Sequence, residues 1–419
     1  MSLKRPRKIL ASTDNYIGAA VKLLQVFLFA AILAGCATGP TKYAQFSMNP
    51  EQESIVNSKP LKLKASYKKL FSEGRRNEVL NLMEVGLKEY KYGNKQEAKR
   101  ALDTVLLNIG SVYADNEAAQ KARSLWYEEG QKDFKGEPYE RSMAYFYRGL
   151  LFLEDGDYGN ARASFLNGIM QDAFAEEEQN RSDFAVLHLL AGWSAQKMGS
   201  QDLADAHYAE LKRLRPDVVL PSEKDNVLAI LETGKSPRKL ADGVGHYQLV
   251  YRRGKKFDEN RASIKYGNQE INAYPVEDVF YQASTRGGRV VDKIIEGKVS
   301  FKKTANTIGS TLTSVTNNSW VSGFAAASGN SGMNASAGVA LIGVAALALS
   351  ANTTPRADTR YWSSLPDTVH VVTLPFEPGN NTVKATYSNT AGQQLHQLSK
   401  TKKITFDEQN VGFVYLNSR

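Results

Sequence analysis

Few residues in this chain have types and spacings suited to chemistry. Glu137 and Glu140 flank Pro138 and Tyr139, and two carboxylates this close suit general acid and base catalysis, as in glycan cleavage. The same pair is typical of a helix start, where acidic side chains accept hydrogen bonds from unpaired N–H groups and complement the helix dipole. We favour this structural interpretation of the two glutamates.

Asp358, Arg360 and Trp362 form a second candidate group. They suit ligand binding, but an ion pair beside a packed indole is the simpler interpretation. The chain has no HExxH, no GxSxG, no phosphate-binding loop and no dinucleotide fingerprint. Its single cysteine excludes internal disulfides and cysteine-rich metal sites, and five histidines offer little for a histidine site. We expect no enzyme activity, no cofactor and no metal.

The single cysteine, Cys36, follows a segment with the pattern of a secretory signal. Four basic residues lie within residues 1–8, and a mostly apolar run covers 23–33. A basic start, an apolar stretch and small residues before a cut site are typical of such signals. The run is too short to span a bilayer, which takes about 20 apolar residues.

The sequence Leu33-Ala34-Gly35-Cys36 resembles the lipobox of bacterial lipoproteins. The resemblance implies that residues 1–35 are removed and that Cys36 carries a diacylglycerol, with a fatty acid such as palmitate on its new amino group. Stable anchoring by more than one acyl chain agrees with this. Ala37 at the following position favours the outer membrane in the family. The alternative is an uncleaved anchor with an incidental buried cysteine.

The basic charge of the chain lies partly in this signal. The formal net charge is +9 over 419 residues. Residues 1–35 hold five basic residues and one acidic residue, so their removal leaves 384 residues with a net charge of +5. This balance is weak evidence for nucleic acid, and a periplasmic location makes that partner less favourable still.

Residues 36–60 contain several prolines and many polar residues, which predicts a lipidated tether.

The pattern of residues 61–220 is helical, and it repeats a set of small residues at offsets 0, +7 and +12. A large side chain follows each set four residues later. The sets are Gly86, Gly93, Ala98 and Leu102; Gly149, Gly156, Ala161 and Phe165; Gly192, Gly199, Ala204 and Tyr208. The first glycine predicts close approach of a neighbouring helix, and the second predicts the turn between paired helices.

These spacings resemble the tetratricopeptide repeat, which pairs two antiparallel helices in about 34 residues. The copy built on Tyr145, Gly149 and Phe152, with Ala161 and Phe165, is the best match. The intervals between the first glycines of successive sets are irregular, which leaves room for a degenerate extra helix at 112–135. A plain helical bundle is the alternative.

The resemblance also implies which residues line the groove of the array. Those positions are apolar or aromatic with one exception, Gln196: Leu80, Met83, Leu87, Tyr90, Met143, Phe146, Leu150, Leu153, Val186, Leu189 and Trp193. An exposed groove of this composition would exceed the apolar patch that monomers tolerate. We therefore expect it to be occupied, either by the chain's own C-terminal half or by a partner. Additional helices packed there as ordinary core are an equal alternative.

The pattern changes towards strands after residues 217–244, whose prolines and glycines predict a boundary. Short alternating segments predict a small antiparallel sheet or sandwich within a C-terminal domain, 245–419, around a turn at Glu377–Asn380. The predicted strands are 246–251, 261–266, 369–374, 381–387, 403–406 and 411–416. The fold class is therefore α+β.

A helical insertion is predicted between the strands. Its first part, 276–315, carries six basic residues that suit anionic lipid head groups, although we favour a solvated helix face. These residues are Arg286, Arg289, Lys293, Lys298, Lys302 and Lys303. Its second part, 335–351, is rich in alanine and glycine and predicts a buried helix. Our hypothesis is that this helix or its flanks fill the groove.

Three segments, 134–141, 156–162 and 357–366, together resemble a family of uncharacterised Gram-negative lipoproteins with repeat-like helical N-terminal halves. The resemblance implies the architecture and no reaction. The leading hypothesis is a periplasm-facing outer-membrane lipoprotein that serves as a protein-interaction scaffold or accessory in a cell-envelope complex. A glycan-binding or hydrolytic accessory protein is the alternative, and a surface-exposed lipoprotein is a third hypothesis.

Overall fold

Helices occupy the first half of the chain and sheets the second. The computed structural model describes residues 45–110, 133–172, 183–242, 248–267, 269–285, 357–375 and 381–419. Within these ranges, eight α-helices precede the strands: α1 Pro50–Ser58, α2 Leu61–Ser72, α3 Glu78–Tyr92, α4 Lys95–Gly110, α5 Pro138–Glu154, α6 Tyr158–Asp172, α7 Ala185–Lys197 and α8 Gln201–Leu214. This order of helices and sheets confirms the α+β prediction.

Three helix pairs, α3 with α4, α5 with α6 and α7 with α8, are joined by short turns. Gly93, Gly156 and Gly199 lie in these turns with φ of +95°, +74° and +76°. Positive φ is accessible to glycine at little cost, so the second glycine of each set marks the turn, as predicted.

The first glycine of each set lies where the paired helix approaches most closely. A Cβ added at Gly192 would lie 2.5 Å from Cε1 of Tyr208, and one added at Gly149 would overlap the ring of Phe165. At Gly86 the nearest atom is Cγ of Leu102, at 3.1 Å. The large residue that follows each set thus covers the glycine of its own pair, which is the close approach that the spacing predicted.

Helix α1 lies within the segment 36–60 that was predicted as a tether. Its start is a capping box, in which the Asn49 side chain accepts from the Gln52 N–H at 2.8 Å and Gln52 accepts from the Asn49 N–H at 3.0 Å. Pro50 occupies the first turn, where it suits a helix. Val56 is buried against α2 and α3, so residues 50–58 belong to the folded body.

The strands form two larger sheets and a ribbon. They are β1 Val227–Thr233, β2 Arg238–Asp242, β3 Gln248–Arg252, β4 Arg261–Tyr266, β5 Gln269–Asn272, β6 Tyr274–Asp278, β7 Thr368–Leu374, β8 Thr382–Ser388, β9 Lys400–Lys403, β10 Thr405–Phe406 and β11 Gly412–Asn417. The first sheet has the order β10-β11-β1-β7-β6, the second has the order β5-β4-β8-β9, and β2 pairs with β3. A short helix, α9 Val279–Ser284, follows β6.

The first sheet lies between the helices and the second sheet. Along β1, Leu228 and Ile230 belong to the core shared with the helices, whereas Val227, Ala229 and Leu231 belong to the core shared with the second sheet. This alternation follows from the two-residue period of a strand. The described residues between 46 and 419 therefore form one compact unit of three layers.

Two features of the first sheet correct the expectation from sequence. Its central strand, β1, lies inside 217–244, which was predicted as a boundary. All seven of its residues are buried and the first five are apolar, which is typical of a central strand. The sheet is also mixed rather than antiparallel, because β1 pairs with β11 in parallel. Parallel neighbours need a long crossover, and the intervening chain supplies one.

Several predictions lie outside the described residues. They are the signal segment with Cys36, most of the extra helix at 112–135, the basic residues of 286–303, the apolar segment 335–351, and the turn residues 377–380. The 276–315 segment is described only as far as 285, where it contains the end of β6 and the helix α9.

Candidate functional site

The predicted groove residues lie in the interior of the molecule. Ten of the eleven are buried, and the remaining one, Leu80, is partly buried against them. The buried ones are Met83, Leu87, Tyr90, Met143, Phe146, Leu150, Leu153, Val186, Leu189 and Trp193. The twelfth groove position, Gln196, accepts a hydrogen bond from the Tyr208 hydroxyl at 2.8 Å.

The chain's own first sheet covers this helical face. The ring of Tyr90 stacks on that of Tyr415 of β11, with centroids 4.6 Å apart. The ring of Tyr147 meets Trp362 edge-on at 5.7 Å, and Trp362 is fully buried. In the described structure the groove residues thus share one core with residues of neighbouring helices and of the first sheet, so this face is not a free docking surface.

A buried carboxylate, that of Glu232 at the end of β1, joins the helices to the sheet. It accepts hydrogen bonds from the hydroxyls of Tyr147 at 2.5 Å and Tyr415 at 2.7 Å. Its ion pair with the Lys91 Nζ, at 3.1 Å, completes the set. Buried carboxylates are tolerated where such partners offset desolvation, and here the partners come from α3, α5 and β11.

The Glu137 and Glu140 pair has a structural role in this fold. The N–H of Glu137 donates to Oε2 of Glu140 at 2.7 Å, and the N–H of Glu140 donates in return to the Glu137 side chain, which completes a capping box at the start of α5. The other oxygen of Glu140 accepts from the Trp362 N–H at 2.7 Å, and burial raises the pKa of this carboxyl to about 7. Lys239 Nζ pairs with Glu137 at 2.6 Å. Both carboxylates are therefore engaged by the protein itself.

The segment around Asp358 is held by an ion pair, as the simpler interpretation of the sequence has it. Arg360 Nη2 lies 2.7 Å from Oδ2 of Asp358, and its Nη1 donates to Oδ1 of Asn77 at 2.8 Å. The Arg360 guanidinium keeps the pKa of Asp358 below its usual value despite burial. This segment thereby connects the helices to the strand β7 that follows it.

A basic cavity of about 410 Å³ opens where α2 and α3 meet the two sheets. Six cationic residues line it, and none of its lining residues is acidic: Lys62, Lys88, Lys91, Lys235, Lys400 and Arg419. Polar and aromatic groups complete the wall, namely Ser363, Ser364, Asn417 and Tyr92. We refer to this site as the basic cavity.

Three of the six cations have carboxylate partners behind the wall. The pairs are Lys88 with Glu84 at 3.2 Å, Lys91 with Glu232 at 3.1 Å, and Arg419 with Glu259 at 2.6 Å. Lys62, Lys235 and Lys400 have no ion pair with any residue that the structure describes. The cavity thus carries an excess of positive charge, which favours an anion.

Lys400 lies close enough to Lys62 and Lys91 in the basic cavity for their charges to act on it. Its Nζ donates to Oδ1 of Asn417 at 2.9 Å. Desolvation lowers the pKa of Lys400, and the nearby charges of Lys91 and Lys62 lower it further. Like charges this close repel one another, and an anion between them would relieve that repulsion.

Sequence reasoning did not find the basic cavity. Its cations come from α2, α3, the loop after β1, the strand β9 and Arg419, which follows β11, so no local motif joins them. The net charge of the chain gave no signal either, because acidic residues elsewhere nearly balance the total. Within the described ranges, no cluster of histidine and acidic side chains is arranged to hold a metal ion.

No protein-family model matches this chain, and no curated protein or solved structure matches it. Among the helices that the structure describes, none is long and apolar enough to cross a membrane.

Proposed function

We propose that the protein is an outer-membrane lipoprotein, anchored through lipidated Cys36 and facing the periplasm, which serves as a non-enzymatic scaffold or accessory in a cell-envelope complex. The lipobox-like sequence at residues 33–36 supports the anchor. The compact unit that starts at Phe46 follows Cys36 by ten residues along the chain. Its partners are the membrane and a protein of the envelope, and not nucleic acid.

The working site of this protein is the basic cavity, which binds an anionic group of an envelope component. The observation that carries this proposal is the convergence of six cations in one cavity, three of them without a carboxylate partner among the described residues. Phosphate and carboxylate groups both fit this donor set, because lysine ammonium groups bind either as point charges.

The apolar groove is not the docking surface in this proposal, because its residues are buried against the first sheet. A protein partner therefore docks on another part of the surface. The hydrolytic alternative is not favoured either, since Glu137 and Glu140 cap α5 and hold Trp362, and Glu140 is fully buried.

Titration with inorganic pyrophosphate tests the anion site directly. Calorimetry on the detergent-solubilised lipidated protein should show binding. Replacing both Lys62 and Lys235 by alanine should weaken it about 30-fold, since each lost charge-assisted contact contributes on the order of 1 kcal/mol. Lys212→Ala, on the exposed side of α8, is the matched control. Equal affinity of the double variant and the control would refute the site.

A second experiment tests the anchor and the complex. Cells fed labelled palmitate should incorporate it into the protein, and Cys36→Ser should abolish the incorporation. Chemical cross-linking in intact cells should then join the lipidated protein to one reproducible envelope protein. A Cys36→Ser chain that still carries labelled palmitate would contradict the assignment of the anchor.

A further inference from the structure

The outward face of α2 is basic and continues into the basic cavity. Lys62, Lys68 and Lys69 are exposed on one side of this helix, and none of them has an ion pair with a described residue. On the opposite side, Leu63 and Tyr67 are buried against α1 and α3. Three lysines on one face, without an ion pair among the described residues, attract an anionic surface over a length of about 10 Å, at 1.5 Å per residue.

Exposed apolar side chains mark both ends of this face. At the cavity end, Leu61 is 86% exposed, and Tyr92, which lines the cavity, is 50% exposed. At the other end, Phe46 is 59% exposed, and its N–H donates to the Ser72 carbonyl at 2.8 Å. Lysines combined with exposed leucine and aromatic residues are typical of surfaces that lie in the head-group region of a bilayer.

The length of chain before Phe46 fits contact with the membrane that holds the anchor. Ten residue steps separate Cys36 from Phe46, which gives a reach of at most about 35 Å. A body tethered this closely stays at a high effective concentration relative to the lipid head groups. Even weak contacts between α2 and the head groups therefore become populated.

We propose that the basic cavity and the outward face of α2 together bind anionic phospholipid head groups, so that the body lies against the membrane that carries Cys36. This proposal rests on the proposed function and names the anion: the phosphate of a phospholipid. Lysine suits this ligand, because an ammonium group interacts with a mobile phosphate as a point charge without a fixed bidentate geometry. Leu61 and Tyr92 would enter the interface beside the bound head group.

Lysine footprinting on vesicles tests this contact. The lipidated protein would be reconstituted in phosphatidylcholine vesicles and in vesicles that also contain about 30% phosphatidylglycerol, and acetylation would be measured by mass spectrometry. We expect Lys62, Lys68 and Lys400 to react at least about threefold more slowly on the anionic vesicles, because anionic lipid attracts each nearby lysine. Lys212 and Lys224, exposed elsewhere, should react equally on both.

A charge-reversal variant separates membrane contact from anion binding. Lys68→Glu with Lys69→Glu should remove the protection of Lys62 on anionic vesicles but leave pyrophosphate affinity unchanged, because neither residue lines the basic cavity. Lys212→Glu is the matched control.

Equal acetylation on both kinds of vesicle would overturn the membrane proposal, even if pyrophosphate protects Lys62 and Lys400 in detergent. In that case the anion-binding site would remain and its ligand would be another anion. Protection of the cavity lysines by a polyglutamate peptide, but not by anionic vesicles, would also overturn it and would favour an acidic protein. If the wild-type protein neither binds pyrophosphate nor shows protected lysines on anionic vesicles, the proposed anion site itself is refuted.

Discussion

At the scale of single residues, buried carboxylates determine how the helices and the first sheet stay together. Glu232 accepts two tyrosine hydroxyls and pairs with Lys91, and it is 2% exposed. We expect Glu232→Ala to lower the free energy of unfolding by about 3 kcal/mol, because it leaves the partly buried Lys91 without its partner and two buried hydroxyls without theirs. Urea denaturation measures this loss.

Glu223→Ala is the matched control for this prediction. Glu223 is exposed in the loop before β1, and substitutions at such sites change stability by about 0.5 kcal/mol or less. Glu232→Gln keeps an acceptor for one tyrosine and should fall between the two. If Glu232→Ala denatures at the same urea concentration as the control, the carboxylate does not join the layers.

A second buried carboxylate makes stability depend on pH. Burial raises the pKa of Glu277 from 4.5 to about 8, although Arg215, the Gln282 side chain and the Val186 N–H act in the opposite direction. The folded chain therefore keeps a proton that the unfolded chain has lost. Consequently this residue makes the unfolding free energy fall as pH rises from about 4.5 to about 8.

We expect Glu277→Gln to remove this fall. Relative to the wild type, the variant should gain stability with rising pH, by at most about 1.4 kcal/mol per pH unit between pH 5 and 8. Urea denaturation at a series of pH values measures the difference, with Glu223→Gln as the control that parallels the wild type. A constant difference between Glu277→Gln and wild type over this range would contradict the raised pKa.

Local sequence predicted the role of the glutamates at the start of α5 but not the role of Glu232. The helix start at Glu137 and Glu140 was predictable, because a capping box involves residues three positions apart. The role of Glu232 was not, because its partners Lys91, Tyr147 and Tyr415 lie far away along the chain.

At the scale of elements, the glycines of the helix pairs set how closely the helices pack. Gly149→Ala should lower the free energy of unfolding by about 1–3 kcal/mol, because the added methyl would overlap the buried ring of Phe165. Gly86→Ala should lower it less, because its nearest neighbour, Leu102 Cγ, lies 3.1 Å away and belongs to a flexible side chain. Thermal denaturation followed by circular dichroism tests this order.

Gly110→Ala is the control for helix propensity. Gly110 ends α4, and nothing lies within 4 Å of an added Cβ. Alanine there should leave stability unchanged or raise it by up to about 1 kcal/mol. Destabilisation of Gly110→Ala to the same extent as Gly149→Ala would show that close packing is not the reason for the glycines.

Helices and strands were predictable from sequence where their contacts join residues close together along the chain. The glycine register was visible because the two helices of a pair are neighbours in sequence. Strand β1 was missed because its apolar run lies between Pro221 and Gly234, in a segment whose turn residues predicted a boundary. The parallel pairing of β1 with β11 joins strands more than 170 residues apart, and no local pattern encodes such a pairing.

At the scale of the whole molecule, the basic cavity exists only in the folded chain. Its walls come from helices, a loop and two sheets, so its lysines become neighbours only when all three layers assemble. The predicted groove was a site of the isolated helical array, and it disappears as a surface when the sheet packs on it. The sequence therefore predicted correctly that one face of the helices is apolar. It could not predict the basic cavity, because that site depends on tertiary contacts.

The shared core predicts that the helices and the first sheet unfold together. Tyr415 of β11 stacks on Tyr90 of α3 and donates to Glu232 at 2.7 Å. Tyr415→Ala removes both contacts and should cost about 3–5 kcal/mol. Because the helical face shares one core with the sheet among the described residues, we expect the helical circular dichroism signal at about 222 nm to melt several degrees lower, in a single transition.

Thr401→Ala, exposed on the edge strand β9, is the matched control and should melt like the wild type. The variant discriminates between two organisations of the chain. If the helices formed an independent domain, a substitution in β11 would leave their melting temperature unchanged and produce a second, separate transition. A lowered helical melting temperature instead means that the apolar face of the helices depends on the sheet, because an uncovered face of that size is not stable in water.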